Sequence, residues 1–207
     1  RELKKQGINV HSGDNDRFNT LDTLASKQDF EQLYATLSAH RDRLGNYPII
    51  TALCLSANPD FTQIAKSNFE VYFFEPVTAT LQKYDRLDAW QMWKQGEKER
   101  LFYPEFHGRE HLNVRVWMRA LKQGDAATIE AFKKEFWGFK PHNQYNISYQ
   151  AAFDLDEQAA LPLQKEIIKN GLQLFEQLHG RKARFFVPPN GAIHQEIIDT
   201  AVAEGIE

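Results

Sequence analysis

The stretch Pro48-Ile49-Ile50-Thr51-Ala52-Leu53-Cys54-Leu55 is the strongest indication of the fold in this sequence. It is a continuous apolar run, which is typical of a strand buried on both faces of a parallel sheet. With this run at 48–55, further strands are predicted near residues 69–74, 101–106, 146–153 and 183–187. Segments with the helical spacing of apolar residues separate them. This alternation predicts an α/β fold with a parallel sheet, either a (β/α) barrel or a doubly wound sheet. Of the two we expect the parallel (β/α) barrel, incomplete in this chain.

The composition indicates a single globular domain over residues 1–207, because 42% of the residues are hydrophobic and 13% aromatic. No apolar run approaches the roughly 20 residues that a membrane helix needs. The net charge of −3 comes from 25 basic and 28 acidic residues without the basic clusters of a nucleic-acid-binding surface. We therefore expect no membrane span and no nucleic-acid partner. With no targeting segment in this sequence, we expect a cytoplasmic location.

The cysteine count and the two ends of the sequence limit the possible sites and the extent of the domain. Cys54 is the single cysteine, which excludes an internal disulfide and a cysteine-built zinc site. Residues 1–7 have the pattern of the last turns of a helix closed by Gly7. Residues 203–207 have the pattern of a helix end followed by the start of a strand. We therefore expect the domain to extend beyond both ends of this sequence.

Two histidines four residues apart form the one metal-like motif, His107-Gly108-Arg109-Glu110-His111. The motif directly follows a predicted strand, and in a barrel the loops after the strands carry the chemistry. Spacing of this kind brings two imidazoles to one side of a helical turn, and neutral imidazoles suit zinc and its first-row neighbours. The sequence predicts His107 and His111 as ligands of one divalent metal, with a solvated pair at a helix start as the alternative.

The same residues also match H-x-x-E-H, the motif of inverted zinc peptidases, with Glu110 as the general base. That motif requires both histidines to lie in a continuous helix. Pro104 and Gly108 disfavour a helix around the first histidine. A zinc peptidase is therefore the alternative function.

Residues 106–114 (FHGREHLNV), followed by Trp117-Met118, resemble the second motif of polysaccharide deacetylase-like proteins, a branch of the carbohydrate esterases. Other segments that resemble parts of one bacterial subfamily lie at residues 57–61, 74–76, 150–154 and 186–190. The resemblance covers nearly all of the chain. It implies that His107 and His111 match the family's two metal-binding histidines. It also implies that Pro188-Pro189-Asn190 matches the substrate loop, without the usual arginine-and-tyrosine form.

The family also opens with a strand that ends in two adjacent aspartates, one a catalytic base and one a metal ligand. No Asp-Asp pair occurs in this sequence. Asp14 and Asp16 come after a helix end rather than after a first strand. We therefore expect the true pair to lie before Arg1, and the family's histidine acid to lie beyond Glu207.

The activity that the resemblance implies is metal-dependent removal of the acetyl group from an N-acetylated sugar or polysaccharide. The cofactor would be a divalent metal, zinc by the ligand type, and the partner a carbohydrate. Arg109 and Asn190 are assigned to substrate binding. Arg109 has two alternatives, orienting the metal ligands or an ordinary surface position, and Asn190 has one, shaping a turn. A non-catalytic carbohydrate-binding relative stays open as a further alternative.

The remaining aromatic and histidine residues are predicted to be structural. We expect all four tryptophans to pack helices against the barrel: Trp90, Trp93, Trp117 and Trp137. Solvated or capping positions are expected for four other histidines: His11, His40, His142 and His179. His194 is expected to be exposed and inert.

Overall fold

The structure is a computed structural model that describes residues 2–5, 7–8, 19–139, 141 and 144–207. Its strands are β1 (Ile50–Leu55), β2 (Ala57–Pro59), β3 (Phe74–Pro76) and β4 (Phe102–Gly108). Its helices in the first half are α1 (Glu2–Lys5), α2 (Lys27–Ser38), α3 (Phe61–Lys66), α4 (Val77–Lys83) and α5 (Leu87–Glu99). Those in the second half are α6 (Val114–Lys122), α7 (Ala126–Phe132), α8 (Leu161–His179) and α9 (Gln195–Ala203). The result is a mixed α/β fold.

The parallel pair β1 and β4 is the centre of this fold. The two strands align from Ile50 opposite Phe102 to Cys54 opposite Phe106. A single parallel bridge joins Phe106 to Phe186 on the far side of β4. The predicted parallel arrangement at 48–55, 101–106 and 183–187 is thus present, with the third strand reduced to one bridge. The described residues form a small parallel sheet and no closed barrel.

The expectation that β1 is buried on both faces is wrong. Cys54 is buried, whereas Leu53 retains 45% of its surface exposed. On the same open face, Tyr103 of β4 and Phe185 are also exposed. Helices α5 and α8 pack against β4 on the other side. An apolar run therefore indicated a buried strand correctly on one face only, because helices cover just that face.

The strand predicted at 69–74 is also wrong for most of its length. Asn68 and Phe69 have positive φ angles of 56° and 63°, which end α3 in a tight turn. The Ser67 hydroxyl then accepts a hydrogen bond from the Val71 amide. Extended backbone begins only at Phe74, where β3 pairs antiparallel with β2.

Residues 146–153 form a buried loop instead of the predicted strand. Local hydrogen bonds curl the backbone, including Ala151 N to the Ser148 carbonyl at 3.1 Å. The Asn113 side chain donates to the carbonyl oxygens of Ala151 and Asp154 at 3.0 and 2.9 Å. The apolar pattern came from burial, since Phe153 is 1% exposed. Burial alone does not distinguish a strand from a loop that is held by side-chain hydrogen bonds.

Local side-chain and backbone chemistry sets several helix ends. Ser26 and Asp29 form the reciprocal capping box that begins α2. Asp125 caps α7 through a hydrogen bond from the Thr128 amide. Gly180 ends α8 with a φ of 70°, in the left-handed region that favours glycine.

The core has two parts, one near each end of β4. The larger one surrounds Trp117 and Phe175, both of which have no exposed surface, and joins α6, α7 and α8. The smaller one packs Phe30 and Tyr34 of α2 against Phe102. Together they fix β4 in position, and the predicted metal motif lies at the carboxyl end of this strand.

Within the described residues, no helix combines the length and the apolar character that crossing a membrane requires. Some sequence predictions lie outside the described residues. These are the roles considered for His11, Asp14, Asp16 and His142.

Candidate functional site

His107 lies at an irregularity in β4. Cys54 pairs with Phe106 and Leu55 pairs with Gly108, so His107 is the extra residue of a β-bulge. A bulge bends the strand and redirects a side chain, and bulges are frequent beside active sites. Gly108 follows with a φ of 124°, a conformation that favours glycine. The sequence around the first histidine therefore forms a strand and a bulge, as Pro104 and Gly108 indicated, rather than a helix.

The rings of His107 and His111 lie together edge to face, although His107 is not in the helical turn that the spacing argument assumed. Their centroids are 5.2 Å apart and their planes are inclined by 64°. Nδ1 of His107 lies 2.8 Å from the carbonyl oxygen of Val187. Because that oxygen can only accept, Nδ1 carries the hydrogen and Nε2 keeps its lone pair. A carbonyl on the second ring nitrogen is the usual way in which a protein orients a metal-binding histidine.

His111 lies in the turn after β4. Its Nδ1 atom is buried and makes no hydrogen bond with the described residues. A buried ring nitrogen without a hydrogen-bond partner can offer its lone pair to a cation. The indole Nε1 of Trp137 donates a hydrogen bond of 3.0 Å to the His111 carbonyl oxygen. The backbone of His111 is thus held in place while its ring nitrogen stays without a partner.

Both imidazoles favour the neutral form that a metal ligand needs. Burial lowers the pKa of His107, and the hydrogen bond to Val187 opposes this effect only in part. Burial also lowers the pKa of His111, and the neighbouring His107 lowers it further. Neutral imidazoles are the ligand form for zinc and similar metals. Among the described residues, no group of three metal-binding side chains is close enough to form a complete site.

Arg109 and Glu110 form a buried ion pair between the two histidines. The Arg109 guanidinium donates to both carboxylate oxygens of Glu110, at 2.6 and 2.7 Å. It also lies 4.1 Å from the centroid of the Phe74 ring. With 4% of its surface exposed, Arg109 does not have the surface position that was one alternative. It lines a cavity of about 280 Å³ whose walls include neither histidine.

The local geometry lacks what the peptidase alternative requires. His107 lies in a strand and not in a helix. Burial raises the pKa of the Glu110 carboxyl against the opposing effect of Arg109. A general base must reach a water molecule, and the Glu110 carboxylate is instead fully enclosed and bonded to Arg109.

Asn190 lies in the turn that follows the bridge residue Phe186. It is exposed, with a φ of 56°, and the next residue, Gly191, donates to the carbonyl of Pro188 at 3.0 Å. The loop is close to the histidines because Val187 holds the His107 ring. Asn190 thus has the turn-shaping position that was one of the two roles considered for it, and its role in substrate binding stays a prediction.

Two positions were missed at the sequence level. Trp137 follows α7 rather than lying on a helix, and it contacts the backbone of His111. His179 was expected to be solvated or capping, yet its side chain is only 2% exposed. The signal for His179 was available, because the apolar positions of α8 recur at helical spacing and include this residue. His194 was expected to be exposed and inert, yet it is half-buried and caps α9, since its Nδ1 accepts a hydrogen bond from the Glu196 amide.

Comparisons of the chain with models of known protein families, with curated proteins and with solved structures find no match. What the site can do is therefore argued from its own chemistry.

Proposed function

We propose that this chain is part of a metal-dependent deacetylase of N-acetylated sugars, with His107 and His111 as two of the metal ligands. One observation carries the proposal. A backbone carbonyl holds Nδ1 of His107 at 2.8 Å, so the other nitrogen is free for a cation beside a second, orphaned imidazole. The resemblance of residues 106–114 to the deacetylase motif supports the choice of reaction.

The donor set fits a divalent metal such as zinc in part. Two imidazoles supply two of the three protein ligands that a catalytic zinc site usually has. When bound, the cation supplies polarisation of the acetamide carbonyl and activation of water. The chain itself contributes the ring orientation set by Val187 and the fixed backbone of His111. The proposal assigns neither the general base nor the third ligand to a described residue.

Arg109 and Asn190 have different roles in this proposal. The buried pair of Arg109 and Glu110 stabilises the turn between the two histidines, so Arg109 acts on the ligand positions. Asn190 is the residue that contacts the sugar, because it is exposed on the loop beside His107. This division follows from burial, since a guanidinium that is 4% exposed and paired inside the protein is hardly accessible to a substrate.

Metal binding is the first test. We expect Zn²⁺ or Co²⁺ to bind the 207-residue chain weakly and with 1:1 stoichiometry in calorimetry. His107→Ala and His111→Ala should each abolish this binding, because a single imidazole remains. His40→Ala is the matched control, since His40 is exposed on another part of the chain. Equal affinity in all four proteins would contradict the assignment of the ligands.

Acetate release tests the reaction. In the natural protein, His107→Ala should abolish chelator-sensitive release of acetate from N-acetylated oligosaccharides. The 207-residue chain is expected to release none, because no base is assigned among its described residues. Chelator-sensitive turnover by this chain would return Asp14 and Asp16 as the first candidates for the base. Saccharide binding without any turnover in the natural protein would instead favour the non-catalytic relative.

A further inference from the structure

A cavity of about 430 Å³ lies next to the histidine pair. Aromatic and charged side chains line it. Trp137 connects the two, because it lines the cavity and donates to the His111 carbonyl. The volume of the cavity falls at the small end of the range for ligand sites, about 300–1,000 Å³. Neither histidine belongs to its lining, so the cavity is a neighbour of the candidate metal site and not part of it.

One wall of the cavity is aromatic. Phe61, Tyr84 and Trp137 line it, and the rings of Phe61 and Trp137 are 5.8 Å apart with an inclination of 31°. Rings in this arrangement offer a flat apolar surface. A small number of placed polar groups beside such a surface is the common design of a site for a small ligand.

Another part of the cavity lining carries a chain of hydrogen bonds. The Asn58 amide donates to the Thr80 hydroxyl at 3.2 Å, and that hydroxyl donates to Oε1 of Glu75 at 2.7 Å. A carboxylate accepts about four hydrogen bonds. Glu75 is therefore held in a fixed orientation by Thr80 and keeps acceptor capacity for hydroxyl groups of a ligand.

Glu135 provides a second carboxylate on the cavity wall. Lys83 donates to it at 2.5 Å, and the Tyr84 hydroxyl donates to its other oxygen. Its φ of 53° lies in the left-handed region, which is unfavourable for a residue with a side chain. This conformation is the common left-handed cap at a helix end, closed here by the Phe136 amide, which donates to the Ala131 carbonyl at 3.0 Å. The end of α7 thus fixes the position of Glu135.

The charges on the wall balance. Glu75 and Glu135 are acidic, whereas Lys83 and Arg86 are basic. A ligand with a net charge would gain from one pair and lose to the other. A neutral ligand with many hydroxyl groups and a flat apolar face satisfies both the carboxylates and the aromatic rings.

We propose that this cavity binds one ring of a neutral oligosaccharide. The choice of N-acetylated sugars as the first probe rests on the proposed function, whereas the cavity chemistry does not depend on it. Binding here requires neither the metal nor the two histidines. The proposal adds a place for a sugar ring beside the candidate reaction centre, so the protein would prefer oligomers over single sugars.

The experiment is calorimetric titration of the 207-residue chain with tetra-N-acetylchitotetraose and with cellotetraose, in the presence of a chelator. We expect saturable binding of at least one of them. Glu75→Gln and Glu135→Gln should each weaken it about tenfold or more, because each removes a charge-assisted acceptor. Glu196→Gln should leave it unchanged, since Glu196 pairs with Lys165 as Glu135 pairs with Lys83 but lies outside the cavity.

Circular dichroism of each variant identifies loss of folding, and two independent cavity variants keep the result interpretable. Absence of saturable binding with both oligosaccharides would overturn the proposal. Equal affinity in the two cavity variants and the control would also overturn it. His107→Ala should retain the binding, so failure of the deacetylase proposal and failure of this one give different results.

Discussion

Acidification should weaken the fold through His179, which is buried at the end of α8. Its ring lies 4.4 Å from the ring of Phe175 and stacks on Trp93, with centroids 6.2 Å apart. Nδ1 of His179 is 3.0 Å from a carboxylate oxygen of Glu97. Burial is the main cause that lowers the pKa of His179 to about 4, while Glu97 raises it. The protein therefore carries this histidine in its neutral form at pH 7.

The magnitude follows from proton linkage. Lys94 on α5 and Arg181 after α8 also lower the pKa of His179. All these effects together give the value of about 4. An unfolded chain has a histidine pKa of about 6.5, so the unfolded state binds the proton more tightly. The stabilisation by neutral His179 is complete above that value and is lost as the pH falls from about 6.5 toward 4. Linkage gives a loss of about 1.2 kcal/mol between pH 7 and 5.5, and about 3.4 kcal/mol below pH 4.

The assay is urea unfolding of the wild-type chain and His179→Gln at pH 7 and at pH 5.5. Glutamine retains a donor for Glu97 and does not titrate, so the variant should lose about 1.2 kcal/mol less than the wild type over this interval. The other histidines contribute equally to both proteins and cancel in the comparison. His40→Gln, at an exposed position, should behave as the wild type. Identical pH dependence in the wild type and His179→Gln would refute a buried neutral imidazole.

Two further substitutions test the packing behind the candidate site. Gly171→Ala on α8 should lower the free energy of unfolding by about 1–2 kcal/mol, because overpacking outweighs the helix preference for alanine. Its Cβ would lie 2.7 Å from Phe106 and 2.9 Å from Arg109, and unchanged stability in urea unfolding would mean that α8 is not so close. Glu110→Gln should cost about 3–5 kcal/mol in the same assay, since it leaves the buried Arg109 guanidinium without its counter-charge. A loss below 1 kcal/mol, the range of an exposed ion pair, would argue against burial of this pair.

The sequence was sufficient where local chemistry decides the structure. The apolar run at 48–55 and the aromatic run at 101–106 do form the central parallel pair. The start of α2 at Ser26 and Asp29 is equally local, because a capping box requires contacts only between residues three positions apart. The prediction of a strand at 146–153 was wrong because that segment is not determined by local chemistry. Its conformation depends on the distant side chain of Asn113, which no periodicity reveals.

In the candidate site, too, some features could be predicted from the sequence, whereas others depend on tertiary contacts. The rings of His107 and His111 do lie together as predicted, but through the bulge and the turn after β4 and not through a helical turn. The orientation of His107 depends on the carbonyl of Val187, which is 80 positions away in the chain. Burial of Arg109 depends on its pairing with Glu110 inside the fold. Contacts of this kind arise from the tertiary fold, so a single sequence does not reveal them.

Because His107 is the extra residue of the bulge in β4, it can be lost without breaking the pairing of β4 with β1. Phe106 and Gly108 already pair with the consecutive residues Cys54 and Leu55 of β1. Loss of the single codon for residue 107 would join these partners directly and give a regular ladder. A lineage that keeps the domain while discarding its first imidazole is therefore one deletion away. Restoring that imidazole would require an insertion at this same point of the strand.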